Sequence, residues 1–198
     1  MKIFLLIITI TLFFNIHDVV GQSIQGDQFL RDIFKEKLVE DRQFVYTKGI
    51  RSNSLNDMIQ VIQDNNSFFT YERIGNKLKA IDSLVLINDE KQFIVNNLEK
   101  QIDTSLWSNF DIPYSLAMTQ DSITTIFTDD NLGWTYFLKE YRSCINSFSV
   151  PIFFRNNQLC VFYFEQICGD LNGGGEFAIY RRENGFWVKW LTLFEWVS

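Results

Sequence analysis

Two stretches near the end of the chain, Leu159–Ile167 and Phe186–Trp196, are apolar on both of their alternating sides. In the first, Val161, Tyr163 and Ile167 oppose Phe162 and Phe164; in the second, Trp187 and Leu191 oppose Trp190 and Phe194. A strand with one apolar side can leave the other in water, whereas a strand apolar on both sides needs cover on both. The fold must therefore layer this segment above and below, curl it sharply, or borrow a partner protein. Together with Phe148–Phe153 and Glu176–Arg181, these stretches predict an antiparallel meander of four strands. Arg155-Asn-Asn-Gln158 and Glu183-Asn-Gly185 are the turn signals, Asn-Gly being a strong one. Pro151 has no N–H to give a central ladder, so the first strand is expected at an edge or bulged.

Helices are expected to supply cover on one side. Asp27 looks like the N-cap of a helix over about 28–41, with Phe29, Leu30, Ile33, Phe34 and Leu38 on one face. Ser54-Leu-Asn-Asp57 resembles a capping box opening a helix with Leu55, Met58, Ile59 and Ile62. Asn88 can cap a third, over about 89–103, facing inward through Phe93, Ile94, Leu98 and Ile102. Trp134, Phe137, Leu138 and Tyr141 complete one face of a fourth, with Asp129, Asp130 and Asn131 as its cap. Residues 43–50 and 67–87 are ambiguous, because short apolar runs do not separate strand from helix. The fold class is α+β, a single domain over 22–198 with a helical part 27–141 and a sheet part 144–198.

Residues 1–21 read as a signal peptide: Lys2, an apolar run Ile3–Phe14, then Val19-Val20-Gly21 before a cut at Gln22. The run is too short to span a bilayer, which needs roughly 20 residues. The only histidine, His17, would leave with it. Export without histidine removes Ser-His-Asp and Cys-His nucleophiles and His-ligated zinc. A net charge of −6 argues against nucleic acid and anionic lipid surfaces.

Candidate contact residues sit in Cys168-Gly-Asp-Leu-Asn-Gly-Gly-Gly-Glu176. Its glycines precede a strand rather than a helix, so they do not form a dinucleotide loop. Asp170, Asn172 and Glu176 offer oxygens but fail the calcium-loop spacing, and no metal or cofactor is expected. They are read as ligand or partner contacts on a wide hairpin loop. Asp170 and Glu176 also supply the alternative, a small carboxylate-dependent hydrolase acting on an envelope polymer, since a carboxylate pair needs no histidine.

Three cysteines allow one internal bridge. If Arg155, Asn156 and Asn157 form a three-residue loop, Phe154 faces Gln158, Phe153 faces Leu159, and the register carries Cys144 opposite Cys168. Cys160 lies some 27 Å along the same strand from Cys168, at about 3.4 Å per residue, and is expected as a buried free thiol.

Trp134-x-x-Phe137 with Tyr141, Phe148-Ser149-x-Pro151-x-Phe153, Cys168-Gly169-x-Leu171-x-Gly173, Trp187 and the closing Trp196-Val-Ser198 form a combination. It resembles the C-terminal part of a family of small exported bacterial proteins of unknown function. Those proteins carry a second cysteine after the leucine of the Cys-Gly loop, where this chain has Asn172. The resemblance implies export and a helix-then-meander layout, and no activity. The expectation is an exported, non-catalytic binding or interaction protein of the periplasm or cell exterior, its ligand or protein partner unidentified.

Overall fold

The computed structural model describes residues 25–40, 43–74, 77–129 and 132–198; the expected leader with His17, and the Asp130-Asn131 step, lie outside them. Helix α1 covers 25–33. Then follow β1 (Phe44–Thr47), α2 (Ser52–Asp64), the hairpin β2 (Ser67–Ile74) and β3 (Lys77–Val85), and α3 (Asn88–Glu99). After two 3₁₀ segments, Lys100–Ile102 and Thr104–Asn109, come β4 (Ser115–Met118), α4 (Gln120–Thr128) and α5 (Gly133–Tyr141). The chain closes with β5 (Ile145–Phe148), β6 (Ile152–Phe154), β7 (Leu159–Ile167), β8 (Gly173–Glu183) and β9 (Phe186–Val197).

The fold is α+β, but helices interleave with strands, and the sheet is larger than a four-strand meander. It has seven strands in the order β4-β1-β5-β7-β8-β9, with β6 taking up the pairing to β7 where β5 leaves it. Strands β1 and β4 come from the half read as helical, and β1 runs parallel to both β4 and β5. Phe44-Val-Tyr-Thr47 is buried on both faces, so it shows no alternation by which a strand could be recognised.

Both faces of the sheet are covered from within the chain. On one, Leu55, Met58 and Ile62 of α2, Ile94 and Leu98 of α3, and Phe68 and Leu84 of the hairpin pack on Val161, Tyr163, Phe177 and Ile179. Further along, α4 and α5 bring Ile123, Ile126 and Phe137 against Val45. On the other, α1, the turn after it and the second 3₁₀ segment set Phe29, Leu30, Phe34 and Trp107 over Phe148, Phe153, Phe162 and Tyr180. Phe29 meets Phe153, Phe162, Tyr180 and Trp187 edge-on at centroid distances of 4.9–5.9 Å. Each such pair adds about 0.5–1.5 kcal/mol beyond burial. The hairpin is pinned to β8 and β9 through Asp82, whose Oδ2 accepts from Arg181 Nη1 at 2.9 Å and Trp190 Nε1 at 2.8 Å.

Several expected details are corrected. Asp27 lies inside α1, and its Oδ1 accepts from the Asp111 N–H at 3.2 Å instead of capping. Helix α2 starts at Ser52 with Arg51 as N-cap, so Ser54 is a buried residue of its first turn. Helix α3 is capped at Ile87, whose N–H donates to Glu90 Oε2; Phe93 and Ile102 of its expected apolar face are exposed. Leu132, not the acid-amide run, is the N-cap of α5. Trp187 and Leu191 fall on opposite faces of the sheet, because one register shift between β8 and β9, at Trp190 between Lys189 and Leu191, reverses the alternation.

The register between β5/β6 and β7 also departs from expectation. Phe154 pairs with Leu159 and Phe153 with Cys160, so the loop holds four residues, Arg155–Gln158, the first three at positive φ. Between Ser149 and Ile152 the first strand gains a residue over its partner at Val150-Pro151, and beyond it Phe148 pairs with Phe164 and Ile145 with Ile167. The longer loop and the proline bulge shift the register in opposite senses and cancel. Cys144 and Cys168 therefore stand opposite each other, with Cα atoms 4.5 Å apart, and are joined by a disulfide of 2.02 Å. Cys160 is a free thiol, fully buried.

Candidate binding cleft

Glu165 is the one acidic residue within Leu159–Ile167, and it points to the covered side shared by Val161 and Tyr163. Its side chain is 2% exposed. A carboxylate so placed requires compensating donors. Arg51, standing where α2 begins, supplies two: Nε donates to Oε1 at 3.0 Å and Nη2 donates to Oε2. Tyr163, two residues back on the same face, donates its hydroxyl to Oε2 at 2.7 Å. Burial pushes the Tyr163 phenol above its ordinary value, so it remains a protonated donor. The Tyr163 oxygen in turn accepts from Trp196 Nε1 at 2.9 Å and lies 3.3 Å from Ser54 Oγ.

Strand pairing explains how these groups meet. Ser147, Glu165, Gly175 and Trp196 are successive cross-strand partners over β5, β7, β8 and β9. Gly175 has no side chain, and the indole of Trp196 lies across that gap to reach Tyr163. The Arg51 guanidinium sits over the Trp196 ring, 5.3 Å from its centre. On the opposite flank, Thr47 Oγ1 and Ser147 Oγ are 2.8 Å apart and both reach the Gly49 carbonyl.

Thr47, Arg51, Ser147 and Glu165 of this array floor a cleft of about 320 Å³ whose far wall is α4 and the start of α5. Ile123, Phe127 and Trp134 form that wall, and Ile145 and Ile167 lie beside the disulfide. The aromatic wall is braced from behind: Trp134 contacts Phe127 at 4.7 Å and Phe137 at 5.9 Å, and Tyr141 stacks behind Phe137 at 4.7 Å. An apolar concavity with a few convergent polar groups is the usual form of a small-molecule site.

A second cavity, about 460 Å³, opens on the other side of the same strands, beneath α1. Asn146 there is buried and donates to the Val45 carbonyl at 2.7 Å, while its Oδ1 accepts from Gln166 Nε2 at 2.8 Å. The Lys37 ammonium lies 5.3 Å above the Phe164 ring, and burial lowers its pKa. Lys37 Nζ also donates to Gln166 Oε1 at 3.5 Å, so Lys37, Gln166 and Asn146 form one chain of hydrogen bonds along this cavity.

The residues expected to make contacts lie outside both cavities. The loop is shorter than expected, closed by the Cys168 N–H donating to the Asn172 carbonyl at 2.7 Å. Asp170 and Asn172 are exposed on it. Glu176 is within β8, where Lys189 Nζ binds it at 2.8 Å, so it does not share a loop with Asp170. Among the described residues no three His, Cys, Asp or Glu side chains group to hold a metal ion. Of the five tryptophans, Trp107 and Trp187 are core, Trp134 lines the cleft, Trp190 donates to Asp82, and Trp196 donates to Tyr163 without lining the cleft. Sequence reasoning missed Arg51, Phe127 and Glu165. Glu165 carried a readable signal, a lone acid on an inward side of a two-sided apolar strand; Arg51 and Phe127 carried none.

Among the described residues no helix is long and apolar enough to cross a membrane. No family model matches the chain, and neither a curated protein sequence nor a solved structure does.

Proposed function

We propose that this is an exported, non-catalytic binding protein, acting in the periplasm or outside the cell, that holds a small ligand in the cleft between α4 and the β5–β7 floor. The observation that carries the reading is the cleft itself: apolar and aromatic walls over a floor whose single carboxylate, Glu165, is already engaged by Arg51 and Tyr163. A carboxylate-pair hydrolase needs two acids converging on one bond, and the cleft lining contains one. The Cys144–Cys168 bridge supports the exported setting, since disulfides persist in oxidising compartments. So do Ile3–Phe14 and the small residues before Gln22.

The test is titration with N-phenyl-1-naphthylamine, a neutral apolar fluorophore, followed by its emission. One saturable site, weakened at least tenfold by Trp134→Ala, is expected. Several weak sites indifferent to that substitution retire the reading. N-terminal sequencing of secreted protein should begin at Gln22; a chain retained inside the cell and beginning at Met1 overturns export.

A further inference from the structure

The hydrogen-bonding capacity left open in the cleft points to the chemistry of its ligand, and the argument rests on the binding role just proposed. Three donors take up the Glu165 carboxylate, which is almost wholly buried. It has no acceptor position in the open to receive a ligand cation. Thr47 and Ser147 have two hydroxyl protons for three contacts, to each other and to Gly49 O, so neither has a donor to spare. Thr128 Oγ1 donates to the Thr124 carbonyl at 2.9 Å. Arg51 differs. Glu165 occupies one edge of its guanidinium, through Nε and Nη2, while Nη1 engages none of the described residues and the side chain is 51% exposed. A guanidinium is a planar fork with five donors, and its second edge suits a second carboxylate. The Trp196 ring beneath and the Glu165 fork hold that edge in place before any ligand arrives. Beyond it lie Ile123, Phe127 and Trp134.

We infer that the cleft takes a small carboxylate with an aromatic or branched apolar body. The acid pairs with the outer edge of Arg51, and the body lies against Phe127 and Trp134. A ligand with an amine in place of the acid would meet the Arg51 cation and find Glu165 closed to it.

Three matched probes separate these possibilities by calorimetry on the purified chain: 4-phenylbutyrate, 4-phenylbutanol and 4-phenylbutylamine. The acid should saturate one site at least tenfold more tightly than the alcohol, and the amine should give no saturable heat. Exchanging Arg51→Gln together with Glu165→Gln removes the ion pair without stranding a buried charge; in that variant the acid should bind no more tightly than the alcohol. Arg51→Lys, which keeps the charge but not the fork, should retain only part of the acid's advantage. Equal binding of acid and alcohol, or preference for the amine, overturns the carboxylate while leaving the cleft as a site. Silence from all three probes, with the circular dichroism melt intact, sinks the inference and the binding role together.

Discussion

A Cβ added to Gly175 would lie 2.3 Å from Trp196 Nε1 and 2.8 Å from the Tyr163 hydroxyl. The bare backbone of β8 is thus what lets the last strand reach the Arg51–Glu165 pair. Gly175→Ala should push the indole off Tyr163 and destabilise the protein by about 1–3 kcal/mol, the range for overpacking. Urea unfolding followed by tryptophan emission measures it. Gly169→Ala, whose new methyl would come no closer than 3.9 Å to Asn172, is the control and should be near neutral.

Removing one partner of the buried pair should be worse than removing both. Arg51→Met strands the Glu165 charge; a fully buried pair broken this way loses roughly 3–5 kcal/mol, reduced to about 1–3 here because half of the Arg51 side chain is in water. Adding Glu165→Leu to Arg51→Met should recover most of that loss. A double variant less stable than the single one would show that Glu165 is held by other groups.

The bridge between Cys144 and Cys168 spans 24 positions of sequence and should contribute about 3–4 kcal/mol through chain entropy. Its strands floor both cavities, so Cys144→Ser with Cys168→Ser should lower the melting temperature and weaken cleft binding together. The remaining thiol, Cys160, is sealed in the core, and burial raises its pKa well above the ordinary value. It should react with Ellman's reagent only as fast as the chain unfolds; rapid labelling of native protein would contradict its burial.

Glu90 gives the pH dependence a definite sign. Arg155 donates to both of its oxygens, at 2.7 and 2.9 Å, and these bonds, with a further one from the Ile87 N–H, hold its carboxyl below its ordinary value. A depressed folded-state pKa stabilises the protein above the unfolded value, about 4.3, and that contribution disappears as pH falls through the folded one. Glu90→Gln should therefore be less stable than the parent at pH 7, and the gap should narrow below about pH 4.3. A gap independent of pH would assign the effect to packing.

Local chemistry was enough for part of this architecture. Asn184 and Gly185 both take positive φ in a two-residue turn between Glu183 and Phe186, a conformation Asn-Gly reaches with little strain. The alternation of Val161, Phe162, Tyr163 and Phe164 announced a strand covered on both sides, and the structure covers it with α2 and α3 on one side and α1 on the other. These features are legible because each depends on residues within a few positions of one another. The parallel pairing of Phe44–Thr47 with Ser115–Met118 depends on contacts across some 70 residues and has no local mark. The bulge at Trp190 that sets Trp187 and Leu191 on opposite faces, and the proline bulge that cancels the longer loop at Arg155–Gln158, likewise follow from how neighbouring strands settle. The assembled cleft belongs to this second kind, although Glu165 and Trp134 each carried a local signal. Arg51 and Glu165 are 114 residues apart in sequence, and they meet because burying a carboxylate requires a donor that only the completed sheet and α2 can bring to it.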